Sequence, residues 1–166
     1  MNKKSGSMVE MDNIQTVYEN EMEIIFDAKS ENEKFARVVA AAFCTRLDPT
    51  IEQITDVKTA VSEAVTNCIV HGYDNCKTYD KKIYMKCILR DSELTVVIKD
   101  NGVGIDNIEK AMEPMYTSKP EQERSGMGFS FMEAFMDELE VVSERNKGTT
   151  VVMKKRFVEY LLYQLK

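Results

Sequence analysis

Two stretches of alternating residues fix the centre of this chain. From Lys81 to Arg90, the apolar residues Ile83, Met85, Cys87 and Leu89 share one face of an extended segment. After only Asp91-Ser92-Glu93 comes a second, more continuously apolar segment, Leu94 to Lys99. Successive side chains of a strand point to opposite faces, so the first stretch reads as a half-buried strand and the second as a more deeply buried one. A parallel crossover needs a dozen or more residues, so a link this short makes the pair an antiparallel hairpin. Everything else in the chain has to pack on that hairpin or extend it.

The flanking segments supply helices and more strand. Residues Met1 to about Asn20 have no clean period and hold Ser5, Gly6 and Ser7, so residues 1–20 are expected to be a flexible tail. Residues 21–166 are expected to form a single domain. Met22-Glu-Ile-Ile-Phe26, within Glu21 to Ala28, is rich in strand formers. Ser30-Glu-Asn-Glu33 has the form of a capping box before the helical face Phe35, Val38, Val39, Ala42 and Phe43, and predicts a helix from about Glu31 to Leu47. Asp48-Pro49-Thr50 then breaks that helix and starts the next. Either Asp48 caps it with Pro49 in the first turn, or Thr50 caps it with Gln53.

The second helix runs to about His71 on the core face Ile54, Val57, Val61, Ala64, Val65 and Cys68, with Gly72 placed to end it in a C′ position. Beyond the hairpin come a short helix near Asn107 to Met112 and a polar stretch from Pro114 to Ser125. A helix then starts at Gly126-Met-Gly128 and ends near Glu138. Leu139 to Glu144 and Thr149 to Lys154 form a second hairpin over Arg145-Asn-Lys-Gly148, and Phe157 to Leu165 reads as an amphipathic terminal helix. The order predicts an α+β fold, a two-layer sandwich with a mixed, mostly antiparallel sheet and helices on one face. No alternation of strand and helix supports a doubly wound parallel sheet.

Charge and apolar content narrow the function classes. A net charge of −6 argues against general binding to nucleic acid or to a membrane surface. No apolar run approaches the roughly 20 residues of a membrane span, and no apolar stretch follows Lys3 and Lys4 as in a secretory leader. The expected location is the cytoplasm. Cys44, Cys68, Cys76 and Cys87 form no C-x-x-C pair and are expected to be small apolar residues rather than disulfide or zinc cysteines.

Three clusters carry chemistry. Glu63, Asn67 and His71 recur every four residues on one stripe of the second helix, at the edge of its core face. A carboxylate beside an amide oxygen suits a base and a hard cation such as magnesium. His71, the single histidine, fits a helix-end residue better than a metal ligand. Asp100-Asn-Gly102-Val-Gly104 follows a buried strand. Its carboxylate is able to accept from an exocyclic amine and so select adenine, and it equally suits a strand-end cap with glycines for positive φ. Gly126-Met-Gly128 opens a helix, where free N–H groups favour an anion such as phosphate, although a plain loop has the same pattern. No Gly-Lys-Ser or Gly-Lys-Thr follows, so it is not a P-loop. Lys119 and Arg124 precede it and are able to close over a γ-phosphate, and Thr149 can reach a base edge.

The succession E-x-x-x-N-x-x-x-H-G, D-x-G-x-G, G-x-G and G-T resembles the GHKL ATPase superfamily, which includes histidine kinases and gyrase. Ser62-Glu63-Ala-Val-Thr-Asn67, His71-Gly-Tyr73, Thr117-Ser-Lys-Pro-Glu121 and Glu123-Arg-Ser-Gly-Met-Gly-Phe129 are similar to the anti-sigma-F factors of sporulating Gram-positive bacteria. Asn32 to Arg37 and Leu47-Asp48-Pro49 fit too, so the likeness spans about Met22 to Lys155.

The resemblance implies a Bergerat-type ATP-binding fold with ATP or ADP and Mg²⁺. It implies a cytoplasmic homodimer that holds a sigma-F-type factor and phosphorylates an anti-anti-sigma protein on serine. By motif, Glu63 is implied as the general base and Asn67 as the Mg²⁺ residue. Asp100 is implied as the adenine reader with Gly104 beside it, and Gly126 and Gly128 as lining the phosphates. Arg124 is implied at the γ-phosphate, Thr149 at the base and Arg37 in partner contact. Asn101 departs from the acidic residue usual there. Two alternatives stay open: a stress-response anti-sigma kinase of the same family, and a nucleotide-gated module that only sequesters its sigma factor.

Overall fold

In the computed structural model the described residues are 19–73, 80–115 and 126–157. Among the described residues five strands form one sheet in the order β1-β2-β3-β5-β4. They are β1 (Glu19–Asp27), β2 (Lys82–Arg90), β3 (Glu93–Asp100), β4 (Glu138–Glu144) and β5 (Gly148–Arg156). Every neighbouring pair is antiparallel. The central hairpin has the expected register, with Leu89 opposite Leu94 and Met85 opposite Ile98. β1 begins at Glu19, earlier than the expected Glu21, and pairs along its whole length with β2.

The helices are α1 (Ser30–Cys44), α2 (Ile51–Asn67), the short α3 (Ile108–Met112) and α4 (Gly128–Phe135). α1, α2 and α4 bury one face of the sheet, so the fold is α+β in two layers. Ile83, Met85, Cys87 and Leu89 of β2 and Leu94, Val96 and Ile98 of β3 are all fully buried there. Each large side chain so buried contributes about 1.5–3 kcal/mol. α1 packs on α2, and both helices bury small residues, Ala36 and Ala40 on one and Ala60 and Ala64 on the other. Cys44, Cys68 and Cys87 are free and buried, as expected of apolar cysteines; Cys76 lies outside the described residues.

The other sheet face carries ladders of opposite charge, among them Glu21–Lys86 at 2.9 Å and Glu138–Lys154 at 2.6 Å. Both edge strands carry carboxylates, Glu19, Glu21 and Glu23 on β1 and Glu138, Glu140 and Glu144 on β4. Such charge discourages pairing with another edge.

Two local expectations fail for tertiary reasons. The Ser30 capping box does not form, because Ser30 is already helical and the N-cap is Lys29, without a side-chain cap. The residues of that motif are used elsewhere: Asn32 donates its side-chain amide to the Asp27 carbonyl at 2.9 Å, and Glu33 accepts from the Ser62 hydroxyl. The first helix also ends sooner, at Cys44, and a 3₁₀ turn covers Thr45–Leu47. At the next boundary Thr50 is the cap, not Asp48, which takes a left-handed conformation (φ 53°) in the link. The terminal segment after Phe157, most of the stretch from Pro114 to Ser125 and residues 1–18 lie outside the described residues. No helix among the described residues is long and apolar enough to cross a membrane.

Candidate functional site

The last α-helical turn of α2 brings Glu63 and Asn67 to the start of α4. Gly128, the first residue of α4, is buried against the pair. A Cβ placed on it would sit 3.2 Å from Glu63 Oε2 and 3.3 Å from Asn67 Oδ1. Any larger residue would fill the gap between the two helices. Gly126, just before, has φ +62°, a conformation that glycine adopts without strain. The N–H groups of the first α4 turn have no partner within the helix and carry the positive end of its dipole. A carboxylate, an amide and an anion-favouring helix start therefore share one place. Among the described residues no group of three or more His, Cys, Asp or Glu could enclose a metal. The donor set fits a magnesium ion that takes a single side-chain oxygen here and fills its shell with phosphate and water.

Beyond Asn67 the helix changes character. Cys68–Gly72 form a π turn, closed by the Tyr73 N–H on the Cys68 carbonyl at 3.0 Å. Gly72 thus does not end the helix in a left-handed C′ conformation. It is glycine because Asp100 lies against it, 2.9 Å from where its Cβ would be. The Gly72 carbonyl accepts from Val103 N–H at 2.9 Å, and a Cβ on Gly102 would come within 2.1 Å of that carbonyl oxygen. Tyr73 donates its hydroxyl to the Lys82 carbonyl and accepts from Asn101 N–H at 2.9 Å. Burial pushes the Tyr73 phenol up to about 12.

Asp100 ends β3 on its core face and is only 2% exposed. Its carboxylate accepts from Gly102 N–H at 2.8 Å. Burial pushes the carboxyl above its ordinary value, and hydrogen bonding, first of all from Gly102 N–H, pulls it partway back. The Cys68 thiol is raised well above its ordinary value, first by burial and then by the charge of Asp100. It is a buried thiol, not a reactive thiolate.

The β4–β5 turn closes the far side. Gly148 (φ +91°) passes over the Asp100 carbonyl, 2.1 Å from where its Cβ would be, and Gly104 (φ +73°) lies as close to the Glu144 carbonyl. Ser143 ties this region together. It donates to the Gly148 carbonyl at 2.9 Å, accepts from Ile105 N–H at 2.8 Å and meets the Thr149 hydroxyl at 2.9 Å.

The structure thus gathers Glu63 and Asn67 with Gly128, and Asp100 with Gly72 and the Gly148 turn; the π turn that follows Asn67 links the two groups. His71 lies in the π turn and is partly exposed. Lys119 and Arg124 lie outside the described residues. Arg37 is away from this cluster on α1, 3.5 Å from Glu33, beside the exposed Phe35 (57%) and Val38 (55%). Sequence reasoning missed Cys68, Tyr73 and Ser143 as members of the cluster. For Tyr73 a signal existed, an aromatic directly after the helix-ending glycine. Cys68 and Ser143 look like any buried small residue and any strand serine.

Comparison with known proteins identifies the family. The sequence model of the histidine kinase-like ATPase domain matches residues 26–155. An anti-sigma F factor of Clostridium kluyveri is 57% identical over 141 residues, covering 85% of this chain and 97% of that protein. One from Clostridium botulinum (strain Eklund 17B / Type B) is 59% identical over 141 residues, with the same coverage of 85% and 97%. Among solved structures, the RsbU and RsbW domains of a Mycobacterium tuberculosis protein align with a TM-score of 0.58 at 19% identity, covering 82% of this chain and 32% of that one. The catalytic domain of histidine kinase ThkA aligns with a TM-score of 0.50 at 15% identity, covering 81% and 95%. These two likenesses concern the fold.

Proposed function

Because the chain belongs to the histidine kinase-like ATPase domain family, among the anti-sigma F factors, we propose that it is an ATP-dependent serine kinase that also holds and inhibits an F-type sigma factor. The observation that carries this reading is the seating of Gly128 against Glu63 and Asn67. It supports a phosphate chain running from the α4 start past a carboxylate able to act as a base. The adenine sits at the other end of the cluster and donates its amine to Asp100, with Gly104 and Thr149 beside it. Gly126 and Gly128 line the phosphates. Lys119 and Arg124 are proposed, from their motif alone, as partners of the γ-phosphate, with Arg124 the bidentate one. Asn67 offers its side-chain oxygen to Mg²⁺, which when bound neutralises the phosphates.

The protein substrate is the serine of a small anti-anti-sigma protein. Its hydroxyl oxygen bonds to the γ-phosphorus as the bond to the departing ADP oxygen breaks, and Glu63 takes the hydroxyl proton. Positioning and charge neutralisation supply most of the acceleration. Arg37, with the exposed Phe35 and Val38 on the same helix, offers a charged and apolar surface for the protein partners of a homodimer.

The test is a transfer assay with radiolabelled ATP and the cognate anti-anti-sigma protein. Glu63→Gln is expected to keep ADP and sigma binding and to lose phosphorylation by about 10²–10⁴-fold. Normal transfer by that variant would remove Glu63 from the role. Absence of transfer by the wild-type chain, with ADP and sigma binding intact, would leave a nucleotide-gated sequestering module instead.

A further inference from the structure

A row of three polar side chains crosses the ends of β3, β5 and β4. Ser143 of β4 is paired with Thr149 of β5. Lys99 of β3 is paired with Thr150, so the same register carries Thr149 toward Asp100. Val141 and Val151, two residues from Ser143 and Thr149, pack into the core, and Asp100 is buried on the same side. Side chains alternate along a strand, so Asp100, Thr149 and Ser143 share one face of the sheet. Ser143 belongs to no motif, and the transfer reaction gives it no task.

The partners of Ser143 decide where the neighbouring proton goes. A serine hydroxyl has one proton to donate and two lone pairs. The Gly148 carbonyl, 2.9 Å away, can only accept, so it takes the Ser143 proton. Ile105 N–H, at 2.8 Å, can only donate and fills one lone pair. The contact with Thr149 Oγ1 at 2.9 Å then has one solution, in which Thr149 donates into the second lone pair. The Thr149 proton is committed to Ser143, and the Thr149 oxygen has only lone pairs left for a ligand.

We propose that Ser143 is a positioning residue that determines base specificity: by taking the Thr149 proton it holds Thr149 as an acceptor beside the Asp100 carboxylate, so that this end of the site selects a purine bearing an exocyclic amine over one bearing a carbonyl. The role rests on the reading of Asp100 and Thr149 as base contacts given above. Two neighbouring acceptors match the amine of adenine, which has two N–H groups. Hypoxanthine puts a carbonyl in its place, and a third acceptor facing the other two is left unmatched. Without Ser143 the Thr149 hydroxyl is free to turn and donate to that carbonyl, and discrimination falls.

The experiment is calorimetric titration of ADP and of IDP, the hypoxanthine nucleotide, into the full-length chain and its variants. Wild type is expected to prefer ADP. Ser143→Ala should shrink the ADP/IDP affinity ratio by about three- to tenfold. Ser143→Thr keeps the hydroxyl and should lie within about twofold of wild type. Thr149→Val should lower the ratio by itself, and adding Ser143→Ala to it should leave the ratio where it is, because the proton that Ser143 holds is already gone. If Ser143→Ala does not fold, Ser143→Cys, whose sulfur is a weak acceptor, is expected to move the ratio in the same direction.

Equal weakening of ADP and IDP by Ser143→Ala would make the serine a clamp on two turns and overturn the role. So would a further fall in the ratio on the Thr149→Val background, a loss that threonine does not rescue, or equal binding of the two nucleotides by wild type. Failure of the wild-type chain to bind ADP would be a different result, removing the nucleotide reading of the site and this role with it.

Discussion

At its first turn α2 is closed by its own neighbours, and at its last by residues from the far side of the β2–β3 hairpin. At the start, Thr50 Oγ1 accepts from Gln53 N–H at 3.2 Å and Gln53 Oε1 accepts from Thr50 N–H at 2.9 Å, all on an exposed surface. At the end, the Gly72 carbonyl and the Tyr73 hydroxyl reach the buried turn after β3. The first arrangement satisfies helix-end groups cheaply and independently of the rest of the molecule. The second makes the helix end, the strand end and the candidate adenine site one unit. A change there is expected to move stability and nucleotide binding together, and a change at the first turn to move stability alone.

The largest effect should come from Gly102→Ala. Its Cβ would lie 2.1 Å from the Gly72 carbonyl oxygen and 2.4 Å from the carbonyl carbon, so backbone must give way rather than a side-chain tip. The shift also breaks the Val103 N–H bond to that carbonyl. A loss of about 3 kcal/mol or more is expected, with ADP binding lost as well. Denaturant unfolding with and without ADP checks both. A stable variant that still binds ADP would show that the two turns are not rigidly coupled.

Tyr73→Phe probes the same end more gently. Removing the hydroxyl leaves the Lys82 carbonyl and Asn101 N–H without that partner, in a place where the ring is 2% exposed. The expected cost is about 1–3 kcal/mol. ADP affinity should fall with it, because Asn101 directly follows Asp100. Urea unfolding and ADP titration are the measurements, and unchanged ADP affinity would detach the tyrosine from the site.

The same contrast explains what could be read from the sequence. The hairpin, the alternation of β2 and the Thr50–Gln53 box were legible because each is encoded by residues a few positions apart. Glu63, Asn67, Asp100 and Gly128 were legible as a set, because the spacing of each motif is a local pattern even though the meeting of the motifs is not. Ser30 was misread as a cap because Asn32 and Glu33 find better partners at Asp27 and Ser62, the latter on another helix. Gly72 was expected to be the left-handed end of a helix. It is instead the only residue type that leaves room for Asp100. Cys68 is core filling as expected, but nothing local announces the π turn that starts at it. The overlooked contacts are the long-range ones, and they cluster at the candidate site.

The smallest effect, and the one that tests the separation most directly, is expected from Thr50→Ala at the other end of α2. The substitution removes the acceptor of Gln53 N–H and frees the Gln53 side chain from the Thr50 N–H, while both groups stay open to water. The cost should be about 1 kcal/mol, read as a shift in the urea midpoint at unchanged slope, and Thr50→Ser should recover most of it. ADP affinity should not change, because α2 between Thr50 and Glu63 is locked on its core side by Val57, Ala60 and Val61. Fraying of the first turn then has no route to the π turn. A drop in ADP affinity with Thr50→Ala would mean that α2 transmits strain along its whole length, and the two ends would have to be treated as one device.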